Sequence, residues 1–182
     1  MNVAPELLTE RLRLRQWRPA DEVVMAKINA DPEVTRYLGR PIGPAATRAF
    51  YEIVVDHWAT HGFGFWAVES REPELAGAFL GFVGIGHPNF IPALAARVEI
   101  GWRLARHAWG RGLATEGAAA VRDEAFDALR LRELISIIHP ANTRSQRVAQ
   151  KLGMTVAERV FNPVSAGEVE VWQISAGRWD VH

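Results

Sequence analysis

The sequence predicts an α/β fold, and three neighbouring stretches carry that expectation. Arg97, Glu99, Gly101 and Arg103 alternate with Val98, Ile100, Trp102 and Leu104, the period of two of a strand whose faces meet different surroundings. Gly110 and Gly112 then lead into Leu113, Gly117 (or Ala118), Val121 and Ala125, spaced as one face of a helix. Leu134 to His139 follows as an apolar, β-branched strand closed by Pro140. Strand, helix and strand in succession is the α/β pattern.

Composition sets the outer bounds. At 182 residues the chain fits one domain spanning residues 1–182, with about two thirds of its unfolded surface buried. Hydrophobic residues make up 48% and charged residues 23%, a globular composition and not a disordered one. Lys plus Arg balance Asp plus Glu at 21 each, so no global field draws the chain to nucleic acid or to an acidic membrane. Without cysteine there is no disulfide, no thiolate nucleophile and no cysteine metal site. No signal peptide or membrane-spanning apolar run is read, so a cytoplasmic location is the expectation.

Taken in order, the chain opens with Leu12 and Leu14 alternating with Arg11, Arg13 and Arg15, a strand with one basic face expected to be solvated. Pro19, Ala20 and Asp21 resemble a helix start ahead of Val24 and Ile28, and Asp31-Pro32 suits a second. Pro41, Gly43 and Pro44 punctuate a loop, after which Phe50, Val54 and Trp58 form an apolar stripe ended by Gly62. His57 and His61 share a helical face but are not read as a metal pair. No glutamate follows His57 in the zincin pattern, and Gly62 ends the helix at once. Phe63 to Ser70 and Phe79 to Gly86 read as a hairpin around the turn-rich Arg71 to Glu74. A loop from His87 to Ala95, with Pro88 and Pro92, precedes the strand that carries Glu99.

The glycine turn after that strand has chemistry of its own. The first N–H groups of a helix lack internal partners and sit at the positive end of its dipole, so a phosphate fits there without a side chain. Two familiar phosphate motifs are excluded: no Gly-Lys-Ser/Thr is present for a P-loop, and Thr115 stands where a dinucleotide fingerprint needs its third glycine. Beyond Pro140, Asn142 precedes a helix with Val148 and Leu152 on one face and Gly153 at its end. Val156 to Val160 and Val169 to Ile174 alternate as a terminal hairpin around Asn162-Pro163 and Gly167.

Three segments together resemble one family. Val98-Glu99-Ile100-Gly101-Trp102-Arg103-Leu104 with Trp109-Gly110-Arg111-Gly112-Leu113-Ala114-Thr115-Glu116 is similar to the acetyl-CoA core of the GNAT N-acetyltransferases, in particular the branch that acetylates ribosomal-protein N-termini. Arg11 to Arg15 with Asp21 and Asp31-Pro32-Glu33-Val34 resembles that branch's N-terminal pattern. Asn142, Ser145, Val148, Ala149 and Lys151 to Met154 resemble its second cofactor motif.

The resemblance implies a twisted mixed sheet of about six to seven strands flanked by helices on both faces. It also implies acetyl-CoA as co-substrate, no metal, and a primary amine as acceptor, either a protein N-terminus or a small molecule. Homodimerisation follows by analogy with the family alone. The pyrophosphate is expected on Gly110, Arg111, Gly112, Leu113 and Ala114, the adenosine end near Thr115 and Asn142, and the pantetheine arm along the backbone of Trp102 and Leu104. Asn142 commonly contacts that arm in relatives. His107 departs from the Gln or Arg of many relatives.

Glu99 matches the family's proton acceptor, and a structural pairing with Arg97 or Arg103 is its alternative role. Many relatives place a tyrosine where this chain has Ala149; Ser145 matches a serine of the ribosomal-protein branch and is the candidate donor to the leaving thiolate. In relatives, loops near His87, Asn89 and Phe90 shape the acceptor site. No serine lies in Gly-x-Ser-x-Gly, so transfer is expected to be direct, without a covalent enzyme intermediate. The alternative reading is a non-catalytic acyl-CoA-binding module of the same fold.

Overall fold

The computed structural model describes residues 5–39 and 42–178; Pro41 lies outside the described residues. The chain runs β1 (Leu7–Leu8), β2 (Leu12–Arg15), α1 (Pro19–Ala30), α2 (Pro32–Thr35), α3 (Pro44–His61), β3 (Phe65–Ser70), β4 (Phe79–Gly86), β5 (Glu99–Leu104), α4 (Leu113–Asp127), β6 (Glu133–Ile138), α5 (Thr143–Lys151), β7 (Thr155–Asn162) and β8 (Gly167–Ser175). The strands form one mixed sheet in the order β1-β2-β3-β4-β5-β6-β8-β7.

Among the described residues the sheet has eight strands where about six to seven were expected. The additional strand, β1, is two residues long and pairs Leu7 with Leu14 and Leu8 with Arg13, too short to leave a periodic signal. Both expected hairpins form, β3 with β4 and β7 with β8. Helix α2 is a single turn, started by Asp31, whose carboxylate accepts the Glu33 N–H. No described helix is long and apolar enough to cross a membrane.

Leu12 and Leu14 are wholly buried, together with Val83, Ile100, Leu113, Ala118, Val121 and Ala125, so the apolar side of β2, β4 and β5 meets α4. Gly117 belongs to this contact: a side chain there would come within 3.3 Å of Val83 and 3.4 Å of Leu12. The opposite face of the sheet carries an aromatic cluster of Trp17, Phe50, Phe65, Phe79 and Phe82 against α1 and α3.

The basic face of β2 is solvated only in part: Arg11 and Arg13 keep 34% and 37% of their side chains exposed, and Arg15 is buried. Arg15 is 4% exposed and donates to Asp21 at 2.7 and 2.9 Å and to Glu69 at 2.7 Å, joining β2 to α1 and β3. Arg11 donates to Glu116 at 2.7 Å and so ties the β1–β2 turn to the first turn of α4. The sequence period places these arginines on one face, but their acidic partners lie 6 to 105 positions away and leave no local signal.

Candidate active site

The centre of the molecule is a split in the sheet. β5 pairs with β4 along its whole length, Gly81 opposite Leu104 through Gly86 opposite Glu99. With the parallel strand β6 it shares one register position, Glu99 opposite Ile135. Ala105 N–H donates to the Leu80 carbonyl and Ile135 N–H to the Val98 carbonyl, which fixes the alternation. The backbone groups of Val98, Ile100, Trp102 and Leu104 therefore point towards β6, and beyond Glu99 they meet a cleft and not a strand. Trp109 donates its indole N–H to the Leu104 carbonyl at 2.8 Å, anchoring the loop after β5.

Glu99 stands where the two strands part. Its carboxylate accepts the N–H of Ile137, the next β6 amide on the side of β5, and so takes a group that continued strand pairing would have used. Burial pushes this carboxyl up to about 7, with the Ile137 hydrogen bond and the charge of Arg103 opposing the rise. Neither neighbouring arginine forms an ion pair with it. Arg97 turns to Glu133 at 2.6 Å and Glu158 at 3.1 Å. Arg103 donates to the buried Asn29 at 2.9 Å and lies over the Phe82 ring, 5.3 Å from its centroid; burial lowers it to about 10 against the opposing pull of Glu99. Asn29 in turn donates to Thr47 at 2.9 Å, a connection from β5 through α1 to α3 that no sequence motif announces.

Beyond the end of β5, the turn expected to hold an anion takes the required shape. Gly110 and Gly112 have φ of +73° and +81°, left-handed values that favour glycine. Gly112 is the N-cap of α4 and no side chain caps the helix, so its leading amides face outwards. Glu116 secures the turn from behind: burial alone would raise its carboxyl, but hydrogen bonds from Thr9 and Arg11, and the charge of Arg11, outweigh that and hold it below the ordinary carboxylate value. The Arg111 side chain points to Glu72 at 2.8 Å, and His107 is exposed on the short 3-10 turn Arg106–Ala108.

Because β5 and β6 are parallel, α4 and α5 both begin at the carboxyl ends of their strands and flank the same cleft, where open α/β sheets bind ligands. Asn142 is the N-cap of α5 and accepts the Ser145 N–H at 3.2 Å. Ser145 is half-buried on the first turn, and Ala149, one turn on, is fully buried. Arg144 reaches over the Trp109 ring at 4.7 Å, linking α5 to the loop after β5. Glu33, Arg36 and Tyr37 line the open side of a pocket with Asn142, Thr143 and Arg144. Tyr37 packs against His139 with ring centroids 5.2 Å apart. Of the loop residues expected near an acceptor, Asn89 and Phe90 are exposed, and only His87 turns inwards.

The family model for the acetyltransferase (GNAT) domain matches residues 11–155. A curated relative from Aspergillus fumigatus, FsC-acetyl coenzyme A-N(2)-transacetylase, is 30% identical over 190 residues, covering 96% of this chain and 78% of its own. The crystal structure of an acetyltransferase from Agrobacterium tumefaciens superposes with a TM-score of 0.80 at 30% identity, covering 93% of this chain and 94% of that one. Mycobacterium smegmatis RimJ in complex with CoA-disulfide shares the fold at a TM-score of 0.71 and 20% identity, covering 92% and 83%. With a family match across 145 of its residues (11 to 155), this chain belongs to the GNAT acetyltransferase family.

Proposed function

We propose that residues 1–182 form one acetyltransferase domain that moves an acetyl group from acetyl-CoA directly to a primary amine, with Glu99 as proton acceptor. One observation carries the reading: a carboxyl raised to about 7 stands at the point where β5 leaves β6, on the strand that leads to an uncapped glycine turn. A carboxyl near 7 is well matched to collecting a proton at neutral pH.

Acetyl-CoA supplies the activated acyl group. The amides of Leu113, Ala114 and Thr115 would hold its pyrophosphate, and the cleft-facing backbone of Trp102 its pantetheine arm. Holding an α-amine neutral at pH 7 costs about 1 kcal/mol, and a lysine-like amine about 4 to 5 kcal/mol. Glu99 lowers that cost by receiving the proton, directly or through water. The amine lone pair forms the new C–N bond, the C–S bond breaks, and Ser145 passes its proton to the departing sulfur and regains one, through water, from the nitrogen as it becomes an amide. The fully buried Ala149, where many relatives carry a tyrosine, is the one observation favouring a non-catalytic acyl-CoA-binding module.

The amine is a protein N-terminus or a small molecule. Calorimetric titration with acetyl-CoA, CoA and dephospho-CoA tests the cofactor half. Micromolar binding that weakens without the 3′-phosphate supports it, and no heat from any of the three removes both the catalytic and the binding-module readings. Turnover of an amine panel then separates the two.

A further inference from the structure

The sequence places His57 and His61 on one face of α3, and the fold adds a third ring. His87, the first residue after β4, turns towards the end of α3, so that one ligating atom from each of His57, His61 and His87 lies within 4.8 Å of the others. The ring centroids are 4.4 Å apart for His57 and His61, 5.1 Å for His61 and His87, and 5.8 Å for His57 and His87. Ligand nitrogens around a tetrahedral zinc ion are roughly 3.3 Å apart, so binding an ion draws the three rings closer together.

Two further observations point to a ligand. The Nδ1 atoms of His57 and His87 are each held by a backbone carbonyl, Phe63 at 2.8 Å and Arg97 at 3.0 Å. A carbonyl only accepts, so both rings carry their proton on Nδ1 and present the Nε2 lone pair. This is the outer-shell arrangement that fixes the tautomer of metal-binding histidines. In addition, His57 Nε2 is buried with no hydrogen-bond partner, an unmet acceptor of the kind that a cation satisfies.

We propose that His57, His61 and His87 bind one divalent transition-metal ion of the zinc class, with a fourth position open to solvent, and that the ion clips the end of α3 to the loop leading into β5. Nitrogen ligands of this type favour zinc, copper or nickel over magnesium or calcium. His61 is exposed and provides the entry path, and the αL turn at Gly62 that ends the helix places His61 at its last position. The clip lies beside the candidate active site, because Gly86, directly before His87, is the cross-strand partner of Glu99, and a side chain at Gly86 would come 3.7 Å from His57 Nε2. The site stands on these three rings alone and is independent of the acetyl-CoA reading.

The untagged full-length chain, stripped with a chelator, is titrated calorimetrically with zinc chloride, and with cobalt chloride while its visible absorption is followed. One equivalent of zinc bound at micromolar or lower concentration, intense tetrahedral-type cobalt bands, and a rise in Tm on zinc addition are expected. His61→Ala, at an exposed position that leaves folding intact, and His87→Ala each weaken zinc binding by roughly ten- to a hundred-fold and abolish the cobalt bands. Zinc is also expected to slow amide exchange at residues 87–95. Absence of one-equivalent binding overturns the proposal, as does zinc affinity in both variants within twofold of the parent.

Discussion

Two arginines lie in one row across four strands of the sheet, and their surroundings differ. Arg15 is opposite Ala67, Ala67 opposite Phe82, and Phe82 opposite Arg103, so the two guanidinium groups share a face with two apolar positions between them. Arg15 is closed on both sides by carboxylates. Asp21 takes two of its N–H groups and Glu69 a third, and the hydrogen bonds to Asp21, more than any other interaction, raise its pKa above the ordinary arginine value. Arg103 has an amide oxygen and a ring face, and burial lowers it. Glu99, the acid that opposes this lowering, is itself raised, because its burial outweighs the charge of Arg103 and the Ile137 hydrogen bond. Where charges close on each other the sheet gains a joint; where they do not, a carboxyl is left able to exchange a proton near neutrality.

The first way to break this comparison is at the closed end. Removing one member of a buried ionic group leaves its partner uncompensated, so Asp21→Ala is expected to destabilise the fold by about 3 to 5 kcal/mol. The substitution also removes the acceptor for the Arg18 N–H at the start of α1, which sits 2.7 Å from the Asp21 carboxylate. Urea unfolding of variant and parent measures the difference. A loss under 1 kcal/mol would show that Arg15 finds enough support in Glu69 alone and that the joint is redundant.

At the open end the larger effect is on rate. Glu99→Gln keeps the shape and the hydrogen bond from Ile137 but cannot accept a proton, so kcat/KM is expected to fall about 10²-fold or more with acetyl-CoA affinity unchanged. The parent's kcat/KM should also decline as the pH drops through about 7, because the carboxyl must be ionised to act. That limb should vanish in the variant. A parent profile flat from pH 6 to 8, or equal rates for the two proteins, assigns the proton to another group.

The contrast also explains what was legible in the sequence. Periods of two and 3.6 placed β5, α4, β6 and α5 within a residue or two of their ends, because each has one face against the core and one in a different medium. Gly110, Gly112 and Gly153 were readable as turns and do adopt positive φ. What escaped was every contact made by topology. Asp21 and Glu69 meet at Arg15, Asn29 and Arg103 meet across α1, and His87 meets the pair on α3, each brought from a separate element. Local pattern gives no account of such pairings, so the polar face of β2 read as solvated. Glu99 was visible as a carboxylate on a polar strand face, but its raised pKa depends on the splitting of β5 from β6, which alternation along one strand cannot encode.

The smallest effect reads the comparison from the side of stability. Below about pH 4.5, the ordinary value of this carboxyl, Glu99 is protonated in the folded and the unfolded chain alike, and Glu99→Gln should be as stable as the parent. As the pH rises from 4.5 to about 7, the unfolded chain ionises this group while the folded chain resists, so the parent loses stability and the variant does not. That interval corresponds to about 3 kcal/mol, and the solvent that reaches part of the side chain reduces it to roughly 2 kcal/mol. At pH 8 the variant should therefore be the more stable protein by that amount, though it turns over poorly. Asp21 and Glu99 would then have opposite signs: one carboxylate stabilises the sheet it sits on, and the other strains it in order to stay reactive. Urea unfolding at pH 5 and pH 8 measures both limbs, and equal stabilities of variant and parent at pH 8 would mean that Glu99 is solvated and already ionised in the folded state.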